Sequence, residues 1–173
     1  RLCLKLSDAE TNSCINLQLN PPDVDVFLYG AGHVGRAIVE IVQHLCCQLY
    51  WVDTQENRFP EIIPIGVTKI CASSLSNIAA HAPENSIHLV MTYSHQIDYD
   101  VVSCLLSDGH FARCGLIGSE TKAARFRSRL LNAGVALEQI DRLVCPLGLS
   151  EIQGKAPFQI ALSIAGQLSS WID

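Results

Sequence analysis

Gly30-Ala31-Gly32-His33-Val34-Gly35 has the GxGxxG spacing and lies between an apolar run and a helical pattern. In that context each glycine has its own task. Gly30 permits a tight turn, Gly32 lets a phosphate approach the backbone, and Gly35 lets helix and strand pack closely. The helix that opens here presents unpaired N–H groups and a partial positive charge to an anion. Asp53 ends the next apolar run, where such folds place a carboxylate for ribose hydroxyls, which favours NAD over NADP. The same turn also occurs in folds that hold no nucleotide, so a purely structural reading stands beside the ligand reading. His33 is unusual in this loop; it either donates to a phosphate or sits over the helix start.

Three further clusters could do chemistry. Gly115-Leu116-Ile117-Gly118-Ser119 is a second strand-to-helix turn and leads into Lys122, Arg125 and Arg129, spaced for one helix face. Together with Arg113 and Arg127 these are five of the 12 basic residues. The stretch reads either as an anion clamp, with Gly118 and Ser119, facing the first glycine loop, or as a solvated helix face. Thr92-Tyr93-Ser94-His95-Gln96-Ile97-Asp98 follows another apolar run, and the carboxyl end of a central strand is where open α/β sheets bind ligands. His95 is a candidate contact there. Asp98 either orients His95 or caps the next helix. In Cys145-Pro146-Leu147-Gly148-Leu149, Cys145 ends a strand. It suits sulfur or metal chemistry if its pKa is lowered, and is otherwise a buried structural thiol. Lys155, just before a helix start, meets an anion or solvent.

The elements that must position these residues follow from periodicity. Apolar runs at 24–29, 49–52, 67–70, 87–92, 112–117 and 143–145 read as strands. Helical patterns cover 34–45, 98–107 and 121–132, the last ended by Gly134. Pro157 opens a final helix whose face Ile160, Ile164, Leu168, Trp171 is spaced for core packing. Alternation of apolar strands with helices predicts α/β architecture: a doubly wound, mostly parallel sheet of about six strands, Rossmann-like, over residues 23–173. Residues 2–6 and 14–19 alternate apolar and polar positions and predict an N-terminal β-hairpin. Two strands are not stable alone, so residues 1–22 read as the tail of a preceding domain with Pro21-Pro22 as linker. The chain opens at Arg1 rather than Met, as a fragment of something longer would.

Composition narrows the function classes. The chain has 173 residues, 49% of them hydrophobic, and a formal net charge of -5. That balance disfavours intrinsic disorder and a broad nucleic-acid surface. No apolar run reaches the roughly 20 residues of a membrane span. The eight cysteines form no CxxC pair and lie in apolar runs, which fits reduced thiols in a cytoplasmic protein. No signal-peptide pattern is present.

Taken in order, these motifs resemble the XdhC/CoxI family of accessory proteins to xanthine dehydrogenase and related molybdenum hydroxylases. The matching pieces are Gly30-Ala31-Gly32-His33-Val34, Thr92…His95…Asp98, Gly115 to Ser119 with Lys122 and Arg125, Cys145 to Leu149, and Pro157…Ile160-Ala161…Ser163-Ile164-Ala165. The resemblance spans roughly residues 24–172. It implies a C-terminal Rossmann-like domain and a chaperone rather than a catalyst. Such a protein binds molybdenum cofactor (molybdopterin), supports its sulfuration by a cysteine desulfurase, and delivers it to xanthine dehydrogenase or a related molybdenum hydroxylase. It also implies a homodimer. Gln159 and Gln167 stand where the family tends to carry Glu, and the family's separate N-terminal domain is represented at most by residues 1–20. Two other classes fit the glycine loop and Asp53: an NAD-dependent oxidoreductase, and an NAD-binding regulatory domain.

Overall fold

The computed structural model describes residues 2–7, 14–19 and 24–172. Two strands, β1 (Leu2–Ser7) and β2 (Cys14–Leu19), pair antiparallel with Leu2 opposite Leu19 and Ser7 opposite Cys14. The expected linker at Pro21-Pro22 lies outside the described residues.

The remaining strands form a six-stranded sheet. They are β3 (Asp25–Tyr29), β4 (Gln48–Asp53), β5 (Val67–Cys71), β6 (Ile87–Val90), β7 (Arg113–Leu116) and β8 (Leu143–Val144). Every pairing is parallel and the spatial order is β5-β4-β3-β6-β7-β8. The chain winds outward from β3 in one direction, then returns to β6 and winds in the other. This is the doubly wound dinucleotide-binding order, with its switch point between β3 and β6.

Apolar residues on both faces of each central strand explain why the sheet is covered twice. On one face Val26, Leu28, Leu49, Trp51, Ile87 and Leu89 pack under α1 (His33–Val42) and α6 (Pro157–Ile172). Helix α6 buries Ala161, Ile164, Ala165 and Leu168 there, a three- and four-residue spacing that keeps one stripe inward. On the other face Phe27, Tyr29, Val90, Cys114 and Leu116 meet α3 (His95–Asp108) and α4 (Glu120–Asn132). The chain leaves α4 through Gly134, whose φ of +83° is the left-handed turn its position calls for.

Periodicity misses three small elements: a 3-10 turn at Glu56–Arg58, α2 (Leu75–Ala80) and α5 (Leu137–Ile140). It also starts α3 three residues late, because Ser94 accepts from the Gln96 N–H and caps the helix one residue before His95. No helix among the described residues is long and apolar enough to cross a membrane.

Candidate functional site

Because all six strands run parallel, the turns after β3, β4, β6, β7 and β8 share one edge of the sheet. That edge gathers most of the sequence-predicted site residues. Arg113 is not among them: it opens β7 at the amino end of the strand, away from the other cations.

The first glycine turn is built by close backbone approach. Gly30 adopts φ +119°, and a Cβ there would lie 2.4 Å from the Met91 carbonyl oxygen. A Cβ on Gly35 would lie 2.2 Å from the Gly30 carbonyl oxygen. These two glycines let β3, β6 and α1 converge. Gly32 differs: nothing lies within 4 Å of the position its Cβ would take. It caps α1 with no side-chain hydrogen bond, and no acidic residue stands in the first turn. The first N–H groups of α1 are thus open to an incoming anion. His33 is exposed at this opening, in a cavity of about 310 Å³ shared with Ala31, Gly32, Arg36, Gln55, Asn57 and Arg58.

Asp53 sits where the sequence places it, but its side chain is turned to the chain itself. It is 2% exposed. Oδ2 accepts from the Ala31 N–H at 2.7 Å, and Oδ1 accepts from the N–H groups of Thr54 at 2.7 Å and Gln55 at 3.2 Å. Its carboxylate holds the glycine turn to the end of β4, and it does not line the cavity. Arg58, with Nε 3.6 Å from Asp53 Oδ1, partly balances the charge.

The turn after β6 is organised around Asp98. Neither role read from the sequence applies: no hydrogen bond joins it to His95 among the described residues, and Ser94 is the cap. Asp98 is 1% exposed; Oδ1 accepts from Thr92 N at 2.9 Å and Thr92 Oγ1 at 2.7 Å, and Oδ2 accepts from Lys122 Nζ at 2.7 Å. Lys122 also donates to the Ile117 carbonyl at 2.9 Å. Its charge is therefore engaged inside the protein rather than held out for a ligand.

A groove of about 410 Å³ runs between α3 and α4, lined by His95, Gln96, Ser119, Lys122, Arg125 and Arg129 among others. Ser119 caps α4 by accepting from the Lys122 N–H at 3.3 Å. Arg129 stacks on Tyr99 with its guanidinium 3.5 Å from the ring centre and donates to Gln96 Oε1 at 3.0 Å. Arg127 points elsewhere, to Asp141 at 2.7 Å. Arg125 is exposed and has no hydrogen-bond or ion-pair partner among the described residues. Gly118 lines a separate cavity with Pro146 and Gly148.

Cys145 is half-buried, and burial raises its thiol pKa more than the Lys122 charge lowers it. The condition for a reactive thiolate is not met by this environment. Lys155 is exposed. The two glutamines serve backbone turns: Gln167 Oε1 accepts from Gly148 N at 2.7 Å in the turn after Cys145, and Gln159 Oε1 accepts from Ala156 N at 3.4 Å at the start of α6. An amide oxygen performs either task as a carboxylate would. No group of three or more His, Cys, Asp or Glu suited to a metal exists among the described residues.

Sequence reasoning missed Arg36 and Arg58. Arg36 donates from Nε to the Ala31 carbonyl at 3.4 Å and from Nη2 to the Arg58 carbonyl. Arg58 donates to Gln55 Oε1 at 3.0 Å, and its guanidinium lies 3.6 Å over the Tyr93 ring. It reaches from the β4 side of the switch point to the β6 side.

Comparison with known proteins gives a consistent family. The family model described as the XdhC Rossmann domain matches residues 26–168. The uncharacterized protein YqeB of Escherichia coli (strain K12) is 30% identical over 142 residues, covering 82% of this chain. The match takes in 26% of YqeB, so the chain spans about a quarter of that relative's length. A crystal structure described as a xanthine dehydrogenase from Bacillus halodurans superposes with a TM-score of 0.72 at 24% identity, over 87% of this chain and 43% of that one. At that identity the likeness is one of fold.

Proposed function

We propose a function from one premise: the chain belongs to the XdhC family and supplies its Rossmann domain. In this reading it is an accessory protein of the cytoplasm, a carrier rather than a catalyst. It binds molybdenum cofactor, supports its sulfuration by a cysteine desulfurase, and hands it to xanthine dehydrogenase or a related molybdenum hydroxylase. It works as a homodimer, with residues 1–22 forming the tail of a preceding domain and residues 23–173 the Rossmann-like domain.

The observation that carries the reading is the groove between α3 and α4. A chain of net charge -5 places His95, Arg125 and Arg129 around one concave surface, and Arg125 brings a charge with no partner among the described residues. Ser119 and Thr121, at the start of α4, line the same groove. Molybdopterin carries a phosphate, and a groove with a guanidinium beside a helix start fits that group. When bound, the cofactor supplies the redox-active molybdenum of the recipient enzyme. The residues of this chain hold the phosphate and exclude competing contacts. Cys145, with its raised pKa, is not the sulfur donor in this scheme; that sulfur comes from the desulfurase.

Anaerobic titration of the chain with molybdenum cofactor tests this. Saturable binding is expected, weakened at least tenfold by Arg125→Glu, a change of about 1.4 kcal/mol or more. Absence of binding, or an Arg125→Glu chain that binds as before, overturns the assignment of the groove.

A further inference from the structure

The cavity beside the first glycine turn is separate from that groove and has its own chemistry. We propose that it takes a nucleotide phosphorylated on its adenosine ribose, of the NADP type, in preference to one with free ribose hydroxyls. This goes beyond the cofactor-carrier reading and does not depend on it.

Position comes first. In a doubly wound sheet the adenosine ribose of a dinucleotide lies past the end of the second strand of the first βαβ unit. Here that strand is β4, and the cavity is formed between Gly32-His33 and residues 55–58 that follow it. The open position at Gly32 and the uncapped start of α1 leave space beside it for the pyrophosphate.

Chemistry then chooses between the two ribose types. A free ribose needs an acceptor for its hydroxyls. Asp53, the residue at the expected position, is 2% exposed, engaged by three backbone N–H groups, and absent from the cavity wall. Arg36 and Arg58 line the cavity instead. Both guanidiniums are already held. Arg58 is fixed by Gln55 and by the Tyr93 ring, and Arg36 by the carbonyls of Ala31 and Arg58. These contacts use Arg58 Nε and Arg36 Nε and Nη2. The two Nη groups of Arg58 and Nη1 of Arg36 have no partner among the described residues. Two cations against the single buried carboxylate leave the cavity net positive. A phosphomonoester offers the charge and the several acceptor oxygens that such a pair of guanidiniums binds, and side chains already ordered lose little freedom on binding it.

Isothermal titration of the full chain at one ionic strength decides the matter, with NADP+ against NAD+ and 2′,5′-ADP against 5′-ADP. The expected result is NADP+ binding at least 30-fold tighter than NAD+, with the same order in the shorter pair. Arg36→Gln and Arg58→Gln should each weaken NADP+ tenfold or more and leave NAD+ within threefold. Equal affinity for the two dinucleotides, tighter NAD+, or no binding of either overturns the proposal. The unsubstituted chain alone yields that comparison, so a poorly folding variant does not blunt it. Failure here leaves the molybdenum-cofactor titration untouched, and failure there leaves this one standing.

Discussion

Lys122 Nζ and Asp98 Oδ2 meet at 2.7 Å with side chains 13% and 1% exposed, and so fasten the turn after β7 to the turn after β6. Removing the cation would strand a buried carboxylate, which costs about 3–5 kcal/mol. Lys122→Met is expected to lose stability in that range by urea denaturation. Asp98→Asn with Lys122→Met together should lose clearly less than the sum of the two single changes. Additive losses would mean that the two groups do not interact across the turns.

The three glycines of the first turn should respond differently to the same substitution. Gly30→Ala and Gly35→Ala drive a methyl into backbone oxygens at 2.4 and 2.2 Å, and each should cost several kcal/mol, on the order of an overpacked core position or more. Gly32→Ala meets nothing within 4 Å, so its melting temperature should stay within a few degrees of the parent. Gly32→Asp should likewise fold but repel any phosphate at the α1 start. Thermal melts of the four proteins separate these outcomes.

Burial pushes the His88 imidazole down to about 3, below the ~6.5 of an unfolded histidine. Between those values the unfolded chain holds a proton that the folded chain does not, so stability rises with pH across the window. It is complete above ~6.5 and is lost as pH falls toward about 3, by on the order of a few kcal/mol. His88 is paired with the Tyr29 hydroxyl at 3.0 Å and Ser86 Oγ at 2.8 Å. His88→Gln should keep polar partners and flatten the acid limb in denaturation at pH 4.5–7.5. An unchanged slope would assign the acid sensitivity to other groups.

Thiol reactivity should follow burial. Cys114 is fully buried, and loss of solvation pushes it up to about 12; Cys47 rises to about 11 for the same reason. Cys46 and Cys71 are exposed. Brief iodoacetamide treatment near pH 8, read by peptide mass spectrometry, should modify Cys46 and Cys71 before Cys47, and Cys114 only after unfolding. Early modification of Cys114 would contradict the packing of β7.

The central strands β3, β4, β6 and β7 were legible because each buries residues on both faces and therefore appears as an apolar run. Residues that act through local backbone were legible too: Gly30 and Gly35 are required by spacing alone. What lay hidden was direction. Asp53 occupies the predicted position, yet a sequence does not say that its oxygens turn inward to Ala31, Thr54 and Gln55. Lys122 has the right helical spacing for a clamp, but its partner Asp98 is 24 residues away and across a strand. Arg113 is near the other cations only along the chain; strand β7 carries it to the opposite edge. Arg58 had no signal at all. It ends a 3-10 turn too short to leave a periodic pattern, and its place over Tyr93 exists only once β4 and β6 flank β3. His88 looked like one more strand residue, and its burial with Tyr29 and Ser86 depends on neighbours brought in by the sheet.

Trp51 lies beneath the first glycine turn, 1% exposed, with its indole N–H donating to the Gly30 carbonyl at 3.0 Å and Phe59 edge-on at 5.3 Å. The chain thereby contains an optical probe wired to the first glycine turn, where the phosphates of a nucleotide would arrive. The second tryptophan, Trp171, is on α6. In a Trp171→Phe background every photon excited near 295 nm comes from Trp51. Changes in its emission as ligands are added would then read the glycine turn directly, without a label.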